Sequence, residues 1–120
     1  MKSRYKISII ALCVIFISCE DWSHGKFEIT NMTSKIIDSI YVQPDRASGK
    51  HFVSLKPNEK KYYVTDMSGP GRTDGAYRIQ YKMDTTIKSN IFGYYSNGAS
   101  LEKLTKISIM PDTILFKFIY

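Results

Sequence analysis

The sequence predicts an all-β fold, an antiparallel two-sheet sandwich of about 7 or 8 strands. After residue 25, apolar and polar residues alternate with the period of two that is typical of strands with one buried face. The alternating segments are short, and residues typical of turns separate them. This part of the chain is also rich in Tyr, Phe, Ile and Thr, which suit a pleated sheet, and shows no long helical pattern.

Four strands are predicted in the first half of this region. They are Lys26–Thr30, Ile36–Val42, His51–Leu55 and Lys60–Met67. In the second of them, Ile36, Ile40 and Val42 are expected to share the buried face. The third and fourth are separated by Pro57-Asn58-Glu59, where proline is suited to the first corner of a turn.

Four more strands are predicted in the second half. They are Tyr77–Met83, Asn90–Tyr95, Leu104–Met110 and Thr113–Tyr120. Asn97-Gly98 is a strong hairpin signal, because both residues tolerate a positive φ. Pro111-Asp112 predicts the turn before the last strand. The short strands favour a sandwich, either immunoglobulin-like or transthyretin-like. An antibody-type domain is excluded, because the only tryptophan, Trp22, is not flanked by two domain cysteines.

The first residues of the chain have a different character. Lys2, Arg4 and Lys6 form a basic start, and residues 7–17 form an apolar segment of eleven residues in which only Ser8 is polar. A membrane-spanning helix needs about 20 apolar residues. The central region of an export signal needs only about 7 to 15. The segment therefore fits an export signal.

The end of this segment, Phe16-Ile17-Ser18-Cys19, resembles the cleavage site of bacterial lipoproteins. An ordinary signal-peptidase site requires a small residue where Phe16 stands. The lipoprotein pattern accepts a large apolar residue there, although leucine is commoner than phenylalanine. The resemblance implies that Cys19 is acylated and becomes the first mature residue. It divides the chain into a signal peptide (1–18), a lipidated tether (19–25) and a β-sandwich domain (26–120).

The resemblance also predicts a location. Acylated Cys19 would bind the lipid bilayer of the cell envelope, at the outer membrane, on its periplasmic face or on the cell surface. Glu20-Asp21 is a short form of the acidic stretch that accompanies surface display in some lineages. Cys13 would leave with the signal, so the mature chain would hold one cysteine and no internal disulfide.

Charge argues against nucleic-acid binding. The whole chain carries a net charge of +6, but three of its 17 basic residues lie in the signal, which leaves 14 basic against 11 acidic residues. The mature balance is thus +3, and Lys60-Lys61 is the only adjacent basic pair. Scattered single charges indicate a solvated surface, whereas nucleic-acid binding requires a basic stripe.

Catalytic and metal-binding patterns are not found in the sequence. His24 and His51 have no second ligand at short spacing, so we predict no metal site and no cofactor. There is no Gly-x-Ser-x-Gly motif for a nucleophile. The glycine-rich loop Ser68–Gly75 lacks the Gly-Lys-Ser/Thr ending of a phosphate loop. We therefore predict a protein that is not an enzyme.

Adjacent tyrosines, at 62–63 and 94–95, suggest a binding surface. Neighbouring strand residues point to opposite faces, so one tyrosine of each pair is expected to be exposed. Tyrosine is favoured at interfaces and can also stack on sugar rings. The candidate binding residues are Tyr63, Tyr94, Arg72 and Asp74. The predicted function is a non-catalytic binding or accessory module for another envelope protein, with glycan binding through exposed tyrosines as the alternative.

Overall fold

The computed structural model describes residues 22–46, 51–68 and 73–120, and it shows two packed sheets. The strands in these ranges are β1 (His24–Asn31), β2 (Ile37–Gln43), β3 (Val53–Leu55), β4 (Lys60–Asp66), β5 (Gly75–Met83), β6 (Thr86–Ser96), β7 (Ala99–Ser100), β8 (Leu104–Ile109) and β9 (Ile114–Ile119). Their order is β4-β1-β8-β9 in one sheet and β3-β2-β5-β6-β7 in the other. The predicted all-β sandwich is confirmed. In the described ranges, no helix is long and apolar enough to cross a membrane.

One strand pair departs from the antiparallel prediction. β1 and β8 run parallel, with Phe27 opposite Thr105 and Asn31 opposite Ile109, whereas the other neighbouring strands pair antiparallel. A parallel pair needs a long connection. The six strands between β1 and β8 provide it.

The core lies between the two sheets and is centred on aromatic rings. Phe27 of β1 meets Tyr77 of β5 edge-on at 5.2 Å between ring centroids, and Phe92 of β6 at 5.8 Å. Edge-to-face contacts of this kind add to the stabilisation that burial of apolar area provides. The other fully buried side chains include Ile29, Ile37, Ile40, Val42, Leu55, Ile79, Ile107 and Ile109.

The predicted inward position of Ile36 is wrong. Ile36 is 60% exposed, whereas Ile37, Ile40 and Val42 are fully buried. The register of β2 against β5 shifts between Asp38 and Tyr41, and Ser39 has a φ of +52°. This β-bulge inserts one residue and reverses the alternation, so the faces predicted from one end of the strand do not hold at the other.

The predicted segment Asn90–Tyr95 is only part of a longer strand. β6 begins at Thr86, directly after a two-residue turn of Asp84 and Thr85 in which Asp84 has a φ of +55°. Asparagine and aspartate are enriched in this left-handed region. The turn nevertheless lacks a glycine like Gly98 of the next hairpin, so the start of β6 carries no strong hairpin signal in the sequence. That second hairpin is confirmed at Asn97-Gly98, where both residues have a positive φ.

The domain begins earlier in the chain than predicted. β1 starts at His24, inside the segment 19–25 that the sequence predicts as a tether. The Trp22 carbonyl accepts a hydrogen bond from the Ser100 amide at 2.8 Å, and the Ser23 carbonyl accepts one from the Met67 amide at 2.7 Å. These residues are therefore fixed to the sandwich. The signal, Cys19 and residues 20–21 lie outside the described residues.

A buried asparagine organises the opposite end of the sandwich. The Asn31 amide group donates hydrogen bonds to the carbonyls of Lys35 (2.7 Å) and Leu55 (3.1 Å). Its side-chain oxygen accepts bonds from the amide and the hydroxyl of Thr33, at 2.9 and 2.7 Å. Because all these groups are paired, Asn31 can be fully buried. Its hydrogen bonds connect the β1–β2 turn to β3.

Thr65 provides a test of the packing. Its side-chain oxygen is buried with no hydrogen-bond partner among the described residues. Burial of an unpaired hydroxyl is unfavourable, so we expect Thr65→Val, which keeps the shape, to stabilise the fold by about 1 kcal/mol in urea unfolding. Thr33→Val is the matched control and should destabilise, because it removes a hydroxyl bonded to Asn31. Equal effects of the two changes would contradict this interpretation of Thr65.

Candidate functional site

The prediction that Tyr63 belongs to an exposed binding surface is wrong. Tyr63 is 2% exposed, while its neighbour Tyr62 is 71% exposed. The Tyr63 ring stacks on His51 at 4.0 Å, and its hydroxyl donates a hydrogen bond to the His51 carbonyl at 2.8 Å. Burial raises the pKa of Tyr63 to about 12. One tyrosine of this pair is exposed, as expected, but the exposed residue is Tyr62 and not Tyr63.

Tyr94 is exposed, as predicted. The register of β6 against β5 shifts here, so that Gly93 and Tyr94 together lie opposite Ala76. Gly93 has a φ of +63°, which makes this a β-bulge of the glycine type. The extra residue places Tyr94 outside and lets Tyr95 pack against Tyr77, with ring centroids 5.3 Å apart.

Asp74 stabilises a turn. Its carboxylate accepts a hydrogen bond from the Asn97 amide at 2.7 Å and one from the Ser96 hydroxyl at 3.2 Å. The bond from Asn97, followed by one from Tyr94, holds the pKa of Asp74 below its ordinary value. Asp74 and Tyr94 are thus brought together, whereas Tyr63 belongs to the other sheet and Arg72 lies outside the described residues.

His51 forms a pair with the carboxylate of Asp45, and this pair has a structural role. Its Nδ1 atom lies 3.3 Å from the Asp45 carboxylate, whose other oxygen accepts a hydrogen bond from the Asp66 amide at 3.0 Å. An aspartate can orient an imidazole for catalysis. However, within the described ranges no serine, threonine or cysteine side chain is hydrogen-bonded to the His51 ring. The pair attaches the segment after β2 to the end of β4.

Glu28 is a buried carboxylate on the outer face of the four-stranded sheet. Burial alone would raise its pKa, but a hydrogen bond and the charge of Lys60, 3.2 Å away, together with Tyr62 and Lys106, hold the pKa below its ordinary value. Glu28 therefore stays ionised and paired. Groups of three or more potential metal ligands do not occur in the described residues.

Glu102 should make stability depend on pH. Burial raises the pKa of its carboxyl above the ordinary 4.5, against hydrogen bonds that include one from Ser100. The folded protein thus holds this proton more tightly than the unfolded chain does. The stability that the protonated carboxyl contributes is therefore fully present below the unfolded pKa and is lost as pH rises through the folded pKa. Glu102→Gln should therefore raise the melting temperature at pH 7 and change it little below pH 4.5. The opposite pH dependence in thermal melts would contradict this.

Most strand edges of the sandwich are protected against pairing with another chain. β3 has three residues and β7 has two, too few to offer a template. β4 begins with Lys60-Lys61, and charged residues discourage edge pairing. At its other end, Asp45 accepts a hydrogen bond from the Asp66 amide, and Arg46 donates one to the Asp66 carbonyl at 2.7 Å.

β9 is different, because it is a regular and largely apolar edge. Its register with β8 is unbroken from Ile114, opposite Ile109, to Ile119, opposite Leu104. It contains a single charge, Lys117, and no proline. Its other side has no partner strand among the described residues. A regular apolar edge of this kind is a template for another strand.

The hydrogen bonds of β9 show which amides are available. The Met110 amide bonds to the Thr113 carbonyl at 2.9 Å, so these opposed residues form a hydrogen-bonded pair. Such pairs alternate with non-bonded ones in an antiparallel ladder. The backbone groups of Leu115 and Lys117 therefore point to β8. Those of Ile114, Phe116 and Phe118 point to the open side, while the same three side chains point towards the core.

A groove runs beside this edge, between β9 and β6. Its floor includes Phe116 stacked on Phe92, with ring centroids 4.4 Å apart. The groove has a volume of about 350 Å³. Its lining residues are Tyr81, Lys88, Asn90, Asp112, Thr113, Ile114 and Phe116. The two sheets are thus open to solvent along this side, which we call the β9 groove.

The outer face of the sheet beside β9 carries two opposed positive charges. On the outer face, Lys117 lies directly opposite Lys106 of β8. Glu28 offsets Lys106, but Lys117 forms no ion pair with any described residue. Like charges directly opposite each other are unfavourable in a sheet. An incoming strand with an acidic residue opposite Lys117 would relieve this repulsion.

No family model matches the chain, and neither the curated proteins nor the solved structures include a match. The function must therefore be inferred from the fold and the β9 groove.

Proposed function

We propose that this chain is a membrane-anchored, non-catalytic binding module of the cell envelope, which holds an extended segment of another envelope protein along β9. The observation that supports it is the regular, apolar β9 edge with its outward amides. Addition of a strand to such an edge provides main-chain hydrogen bonds for affinity and side-chain pockets for specificity. The lipoprotein-like sequence ending at Cys19 would supply the anchor.

The proposed segment has a chemistry that suits β9. Apolar residues facing inward would contact Ile114 and Phe116 in the β9 groove. On the opposite face, an acidic residue would pair with Lys117. A second copy of β9 offers no such residue, because β9 contains no Asp or Glu. The preferred partner is thus a different chain with alternating apolar and acidic residues.

The glycan alternative gains no support from the tyrosines. Tyr62 lies on β4 and Tyr94 on β6, and these strands belong to different sheets. One sugar could not stack on both. Tyr94 is in addition hydrogen-bonded to Asp74.

A charge reversal tests the proposal. The partner is first captured by a photo-crosslinking amino acid placed at Leu115 in intact cells, and the crosslinked segment is then made as a peptide. Lys117→Glu should weaken binding of this peptide between about threefold and tenfold in titration calorimetry, because a cross-strand charge pair becomes repulsive. It should not weaken the fold, since it places Glu opposite Lys106.

Lys26→Glu is the matched control. Lys26 is exposed on the same sheet but on β1, two strands from β9, and the change in net charge is identical. Hydrogen exchange gives an independent measure: the peptide should slow exchange of the Ile114, Phe116 and Phe118 amides. Equal losses in the two variants, or no protection of these amides, would refute β9 as the binding edge.

A further inference from the structure

The start of the folded domain carries an exposed apolar patch. Trp22 is 41% exposed and Leu101 is 44% exposed. With Ala99 and Ser100 they line a shallow depression of about 390 Å³. The hydrogen bond from the Ser100 amide to the Trp22 carbonyl fixes the tryptophan backbone against β7. We call these four residues the Trp22 patch.

The length of the chain limits how far this patch can be from a lipidated cysteine. Trp22 is the third residue after Cys19. Three fully extended residues span at most about 11 Å. The polar layer on each side of a bilayer is about 5 to 8 Å thick. If Cys19 carries acyl chains at the membrane surface, Trp22 must lie in that polar layer or directly next to it.

We propose that the Trp22 patch is the surface by which the domain rests on the bilayer that holds acylated Cys19. This inference depends on the lipid anchor in the proposed function. Tryptophan is favoured at membrane–water interfaces, because its ring is apolar and its N–H is polar. A bilayer is the occupant that the short connection delivers to this patch, whereas a protein partner would have to displace it.

Other residues at this end suit the same contact. Leu104, three residues after Leu101 of the patch, pairs with Ile119 of β9. Exposed Tyr120, the next residue after Ile119, therefore lies at the Trp22 end of the sheet. Tyrosine shares the interfacial preference of tryptophan. Lys26, exposed near the start of β1, can extend its charge to lipid phosphates while its stem lies on apolar surface.

Contact through this end would set the orientation of the binding edge. β9 runs from Ile119, near the Trp22 patch, to Ile114. Six strand residues cover about 20 Å. The β9 groove would therefore stand upright beside the membrane, open to a segment of a neighbouring membrane protein.

Trp22 is the only tryptophan in the chain, so its fluorescence reports on the patch directly. The probe is the purified lipidated protein in phosphatidylcholine vesicles, with or without bromine on the acyl chains. We expect a blue-shifted emission, loss of most of the emission with brominated lipid, and weak quenching by aqueous acrylamide. Cys19→Ser protein produced without residues 1–18 and mixed with the same vesicles should show none of these effects.

Ile87 provides the matched control position. It is 65% exposed and lies opposite Lys82, seven residues along β5 from Gly75 at the Trp22 end. Seven strand residues correspond to about 24 Å. In the double variant Trp22→Phe, Ile87→Trp, the lipidated protein should be quenched by acrylamide and not by brominated lipid.

The outcomes separate the membrane contact from the anchor. Equal quenching at positions 22 and 87, in protein whose mass shows acyl chains on Cys19, would refute the membrane contact and leave the anchor intact. A mature mass without acyl chains would instead refute the anchor, and the membrane contact would fall with it.

Discussion

Replacement of Cys19 by serine should release the protein from the membrane. Serine cannot form the thioether that would attach the lipid. A single acyl chain holds a protein only marginally, with a binding constant of about 10⁴ M⁻¹, whereas two or more hold it stably. The variant, made with an ordinary cleavable export signal in place of residues 1–18 so that no apolar segment remains, should move from the membrane pellet to the soluble fraction on centrifugation. The mature wild-type protein should carry the mass of acyl chains, and the variant should not.

Cys13→Ser is the control, because Cys13 is the other cysteine of the chain and lies in the predicted signal. It should leave both the mature mass and the membrane association unchanged. Membrane association of the Cys19→Ser protein, resistant to high salt, would show that something other than lipid at Cys19 holds the domain there. Release by Cys13→Ser would show that Cys13 itself takes part in the attachment.

The sequence predicted strands best where the alternation is uninterrupted. Tyr77–Met83 was predicted almost to its ends, because Tyr77, Ile79 and Tyr81 are all buried and the residues between them face water. The prediction for Ile36 failed at the bulge in β2. A bulge adds one residue, and no glycine or proline marked it, since the residue with positive φ is Ser39.

The proposed binding edge could not be predicted from the sequence. The residues of β9 and their faces were expected, but which strand lies at the edge depends on the order of strands in the sheet. That order rests on the parallel pair of β1 and β8, which are distant in the chain. Composition likewise could not decide between Tyr62 and Tyr63. The choice depends on the register of β4 against β1, which puts Tyr63 opposite buried Phe27.

The two exposed features of the domain would serve different interactions in the proposed function. The Trp22 patch is small and apolar and lies at one end, while the β9 groove extends along one side, is lined by Lys88 and Asp112 among others, and has Lys117 on the outer face of its strand. An anchored domain samples partners in the same membrane at a high effective concentration. Modest affinity along β9 would therefore suffice for stable association.

Phe92→Ala should be strongly destabilising, by about 3 to 5 kcal/mol. The Phe92 ring contacts Phe27 and Tyr77 in the core and stacks on Phe116 of β9. Its removal leaves a cavity that the two sheets cannot fill without moving. Small domains are stable by only about 5 to 15 kcal/mol, so this is a large share of the total. Urea unfolding of the purified mature domain measures it.

Ile91→Ala provides a control one residue away. Ile91 is 66% exposed on the opposite face of β6, and its truncation should change stability by no more than about 0.5 kcal/mol. Because Phe92 supports Phe116, its loss should also speed hydrogen exchange of the Leu115 and Lys117 amides, which bond to β8. Equal stability of the two variants would mean that the sheets do not pack through this ring. Loss of stability without faster exchange in β9 would mean that the edge is held by β8 alone, independently of the core beneath it.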